Sequence, residues 1–69
     1  MKDKKIKFGD ALYKAINENA MNYDSVAKLI GLKDSRQIYC YVNGEKWPSQ
    51  LRLIMLIHHF NLNLEEILN

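Results

Sequence analysis

Apolar positions recur along the chain with the period of helices, in five blocks separated by turn residues. Phe8, Leu12, Ala15, Ile16 and Asn19, with Ala11 beside them, follow the spacing of an amphipathic helix. The polar stretch Asn17–Asn22 ends that block. Asn22 is a predicted N-cap, because its side-chain oxygen can accept from the unpaired amides of Asp24 or Ser25. The helix it opens carries Val26, Ala27, Leu29 and Ile30 and stops at Gly31, the residue type favoured just past a helix end. Lys33 and Asp34 form a turn, with Asp34 or Ser35 as cap, and a third helix, Ser35–Val42, exits at Asn43–Gly44. Gly44–Pro48 reads as a loop. Ser49 caps a fourth helix whose inward set is Leu53, Leu56, Ile57 and Phe60. Asn63 and Glu66 have the spacing of a capping box, opening a short last helix with Leu64, Ile67 and Leu68. No strand-like alternation or repeat interrupts this pattern, so the predicted class is all-α, one five-helix domain over residues 1–69.

Length narrows the possible functions. A chain of 69 residues buries only about 60% of its unfolded surface. Its core is therefore thin, a deep catalytic pocket is not expected, and a partner subunit would add stability. No nucleophile–base pair, closely spaced carboxylate pair or phosphate-cradling glycine loop is visible, so an enzyme is not expected. Cys40 is the only cysteine, which excludes an internal disulfide and a cysteine-based zinc site; it reads as an inert thiol. His58 and His59 are adjacent and point about 100° apart on a helix, so they read as packing residues rather than metal ligands. No metal, cofactor or small-molecule ligand is expected.

Met1–Lys7 lacks the apolar centre of a signal peptide, and the longest apolar run, Leu53–Ile57, is too short to cross a membrane. A cytoplasmic protein with no membrane partner is the expectation. Net charge is +2, unevenly spread: Met1–Lys46 holds nine Lys/Arg against six Asp/Glu, and the remainder one against two. The basic portion favours an anionic partner. Residues 1–7, with Lys2, Lys4, Lys5 and Lys7, are expected to form a flexible basic arm.

The informative stretch is 22–44: a capped helix, a tight turn at Gly31, and a second helix anchored by Ile38. Small Ala27 lets the two helices approach closely, which holds the second one outward, where it fits a groove about 12 Å wide. Three segments carry a family resemblance: Val26-Ala27-Lys28-Leu29-Ile30-Gly31-Leu32, then Ile38 to Tyr41, then Asn43-Gly44-Glu45-Lys46-Trp47-Pro48-Ser49. Together with Leu53, Leu56, Phe60 and Leu64-Glu65-Glu66-Ile67-Leu68, they resemble the Cro/C1-type (XRE) helix-turn-helix family, with its lambda-repressor-like fold, from Phe8 to Leu68.

That resemblance implies a small phage or bacterial transcription regulator, a repressor or Cro-like protein that binds double-stranded DNA. By position it implies base-reading side chains at Ser35, Arg36, Tyr39 and Cys40, with Gln37 on the same rim. Arg36 is the strongest of these, since a guanidinium bonds both acceptors of guanine, whereas Tyr39 and Cys40 offer only apolar contact to a thymine methyl. It likewise implies phosphate contacts from Asn22, Tyr23, Asn43 and Lys46, with Lys33 added as a neighbouring cation. Three departures stand out. The turn is one residue longer than usual between Ala27 and Ile38. Ile16 and Val42 replace a frequent Arg–Glu pair, and Tyr23 stands where Gln is common. Trp47 is expected to pack over the junction of the third and fourth helices. Leu51 and Met55, four apart and one turn before His58, fall at positions that are usually polar, and predict the interface of a homodimer on a palindromic operator. The competing expectation is a protein–protein interaction module on the same fold, an antitoxin or adaptor.

Overall fold

Local signals at the chain's turns dictate where its helices begin and end. The computed structural model describes residues 3–68 and forms five helices there: α1 (Lys4–Glu18), α2 (Tyr23–Leu29), α3 (Arg36–Val42), α4 (Gln50–Phe60) and α5 (Leu64–Leu68). Short polar side chains take up free amides at each start. The carboxylate of Asp3 accepts from the Ile6 amide at 3.1 Å, the Asn22 carbonyl from Ser25 at 2.8 Å and the Ser49 hydroxyl from Arg52 at 3.4 Å. Asn63 accepts from Glu65 at 3.0 Å. Of the two expected caps for α3, Asp34 bonds the Arg36 amide at 3.0 Å, while the Ser35 side chain makes no cap bond.

Four helices end alike, with a left-handed residue followed by an amide that reaches back five residues. The left-handed residues are Ala20, Gly31, Gly44 and Asn61. The amides of Met21, Leu32, Glu45 and Leu62 bond the carbonyls of Ile16, Ala27, Cys40 and Ile57 at 2.8–3.2 Å. This closing motif satisfies carbonyls that a bare helix end would leave unpaired.

α1 is the central element, packing on α3, α4 and α5, while α2 packs on α3. Phe8, Leu12 and Ile16 from α1 meet Val26, Ala27, Ile30, Ile38, Tyr41, Leu56 and Ile67 in one core. Ile16 is buried and Val42 packs against the same core, so the apolar replacement of an ion pair sits in apolar surroundings. Gly9 marks the closest approach of α1 to α3: a Cβ there would meet the carbonyl oxygens of Tyr41, at 2.6 Å, and Val42. Trp47, expected over the junction of α3 and α4, also packs on α1. Its ring lies 5.3 Å from Phe8, and the Lys4 ammonium sits 4.9 Å from the ring centre.

Some expectations need correction. Lys4–Lys7 are not an arm but the first turn of α1, nucleated by the Asp3 cap and held by Lys4 on Trp47 and by Ile6 beside Gly44. Met1 and Lys2 of that expected arm lie outside the described residues. Leu29, Leu64 and Leu68 are exposed, because α2 and α5 are too short to bury more than a narrow stripe. Met55 packs against the core, and Ile54 takes the exposed place expected for it. No helix among the described residues is long and apolar enough to cross a membrane.

Candidate nucleic-acid interface

α3 buries Ile38 and Tyr41 and turns the opposite side outward. At 3.6 residues per turn, Arg36, Tyr39, Cys40 and Asn43 fall within an arc of about 100° on that outer side. Arg36, Tyr39 and Asn43 are exposed; Cys40, lying between Arg36 and the buried flank, is half-buried, as is Gln37 on the rim. Ser35 precedes the helix and lines a cleft of about 370 Å³ with Tyr39, Tyr23, Asn22, Asp24 and the end of α1. The five expected base readers thus divide. Arg36 and Tyr39 are exposed, Ser35, Gln37 and Cys40 stand lower, and Asn43 joins the exposed face from the expected phosphate set.

Arg36 projects with its side chain 90% exposed, and its Nε lies 3.4 Å from the Asp34 carboxylate. A pair so open to water contributes little and is readily exchanged for a stronger partner. Asp34 therefore steadies the guanidinium at the start of α3 without committing it. Lys33 and Lys46, both exposed, flank the two ends of the helix. The Asn22 carbonyl is taken up by its cap, which leaves the side-chain NH2 group as the donor it can present outward.

Tyr23 opens α2 and reaches toward α3. Its ring meets Tyr39 edge to face, with centroids 4.5 Å apart and planes at 74°. Burial raises the Tyr23 hydroxyl above the usual phenol range, and the neighbouring Tyr13 and Tyr39 phenols push the same way. The hydroxyl therefore remains protonated, and a hydrogen-bond donor, throughout neutral pH. Tyr41, buried beneath the same helix, is also raised by burial, partly offset by the Arg52 cation.

The turn between α2 and α3 leaves both of its anchors in the core. Gly31 adopts φ +78°, Leu32 folds back onto the core, and Asp34 restarts the chain as a helix. Ala27 and Ile38 are both fully buried. On the fourth helix, Leu51 is 69% exposed, Ile54 is 55% exposed and His58 is also open; they share one face. Ile54 and the Tyr23–Tyr39 contact were not anticipated from the sequence. The first has a signal in the three- and four-residue spacing from Leu51 to Ile54 to His58, and the second has none.

Two helices joined by a tight turn, the second held outward on a core built around a third, define an all-α helix-turn-helix fold. The solved structure of the restriction-modification controller protein C.AhdI from Aeromonas hydrophila shares it, with a TM-score of 0.75 over 91% of this chain and 94% of that one. Identity is 21%, so the likeness is one of fold. No family model matches the sequence, and no curated protein matches it either. The five-helix fold expected from the spacing of caps and apolar positions is the one observed.

Proposed function

We propose that the protein is a sequence-specific regulator that binds double-stranded DNA with α3 in the major groove. The observation that carries this is the outward face of α3, where Arg36, Tyr39 and Asn43 stand exposed opposite the buried Ile38 and Tyr41. Its fold likeness to a restriction-modification controller protein supports the same reading. Arg36 reads guanine through both of its acceptors. Tyr39 supplies apolar contact, and Ser35, Gln37 and Cys40 complete the rim. Asn22, Tyr23, Lys33, Asn43 and Lys46 bond phosphates and set the register without reading sequence.

Regulation then needs no chemistry, since a bound protein excludes other proteins from its site. A homodimer joined through Leu51, Ile54 and His58 would present two α3 helices to half-sites about 34 Å apart on a palindrome. Selection from a pool of genomic fragments tests the reading: one or a few palindromic sequences enrich, or the reading fails.

The second reading is a protein-binding module. The broad exposed ring of Tyr39 and the carboxylates Asp24, Asp34 and Glu45 around the face favour it. Failure to bind any duplex at low salt would select it.

A further inference from the structure

Tyr39 is the least expected residue on a DNA-reading face, because a phenol ring offers one hydroxyl and a large apolar edge. It is 53% exposed, yet it is not a free rotor. Its ring is held edge to face by Tyr23 at 4.5 Å, and Tyr23 in turn is half-buried against the core. An aromatic pair of this geometry adds stability beyond the area it buries. One side of Tyr39 is thus backed by protein and the other is open, one turn along α3 from Arg36.

In the major groove, the apolar group a base presents is the methyl on C5 of thymine. Cytosine carries hydrogen at that carbon, and 5-methylcytosine carries the same methyl as thymine. A ring fixed in one orientation discriminates by that group, since little further side-chain order is lost on contact.

We infer that Tyr39, positioned by Tyr23, is a specificity-determining residue that recognises the C5 methyl of a pyrimidine one step from the base read by Arg36. This rests on the DNA-binding reading above and adds to it a substrate property: the site distinguishes methylated from unmethylated pyrimidines, whether thymine or 5-methylcytosine. Tyr23 acts through Tyr39, and its hydroxyl is not needed for this task.

The test starts from a randomised duplex pool selected with the full chain. In the enriched duplex, each thymine is replaced in turn by deoxyuridine, and then by cytosine or 5-methylcytosine. At one position per half-site, deoxyuridine should weaken binding about fourfold, the worth of one buried methyl-sized group. Cytosine there should weaken it at least as much, and 5-methylcytosine should recover the methyl's share. Tyr39→Ala should abolish the difference between thymine and deoxyuridine. Tyr23→Ala should abolish it too, whereas Tyr23→Phe should keep it. An enriched duplex indifferent to deoxyuridine at every thymine overturns the inference and leaves the DNA-binding reading intact. So does a methyl effect that survives Tyr39→Ala, or one lost with Tyr23→Phe. A pool with no enrichment overturns both.

Discussion

At the residue scale, Gly9 shows how one missing side chain lets α3 pack close on α1. It sits in the middle of α1, where alanine would be the better helix former by about 1 kcal/mol. The contact with α3 reverses that preference, because a Cβ would press on the backbone carbonyls of Tyr41 and Val42. Backbone oxygens cannot rotate away as a flexible side chain could. Gly9→Ala is therefore expected to destabilise the fold by about 1–3 kcal/mol, the usual range for overpacking, and thermal unfolding measures it. Of the proposed reading residues, Arg36 had an exposed position that was legible from sequence, because a helix start after a turn presents its first residues outward. The Tyr23–Tyr39 contact was not legible, since the two residues lie on different helices and their spacing says nothing about which rings meet. Met55 and Ile54 exchanged roles for a related reason. Spacing fixes which residues share a face, but the direction of the core is set by what packs on α4.

At the element scale, the ends of helices were the most legible features. Asn22, Ser49 and Asn63 cap as their sequence context implied, and Gly31 and Gly44 close α2 and α3. The start of α1 was missed because a lysine-rich segment resembles a solvated tail until Asp3 is seen bonding Ile6. Ala20 was missed as a left-handed terminator because nothing but glycine or asparagine advertises that conformation. Its φ of +53° costs an alanine about 1–2 kcal/mol. Ala20→Gly removes that strain and loses some unfolded-state restriction, so a net gain of up to about 1 kcal/mol is expected from denaturant unfolding. Gly31→Ala, at φ +78° with open space around it, should lose about as much through backbone strain alone.

At the scale of the whole molecule, a thin core and an open apolar strip belong together. A domain this small has little interior to spare, and Leu51 and Ile54 remain outside it. A two-fold interface through that face would bury both and set the spacing of the two α3 helices. Sedimentation of the wild-type chain at micromolar concentration should show dimers, and Leu51→Glu with Ile54→Glu should shift the distribution to monomers without unfolding α4. DNA affinity should fall in that variant because only one half-site is engaged at a time. A wild-type chain that stays monomeric at high micromolar concentration, with and without its selected duplex, removes the dimer from the account.

The central claim, that α3 reads DNA through Arg36, is tested most directly by a salt titration of binding, with wild type and Arg36→Ala side by side. The logarithm of affinity should fall linearly with the logarithm of salt, at about 0.9 per phosphate contact. Arg36→Ala should lose about 1–3 kcal/mol on the preferred duplex and much less on unrelated ones, so that specificity collapses more than affinity. Equal weakening on every duplex, or no binding at low salt, would contradict the claim.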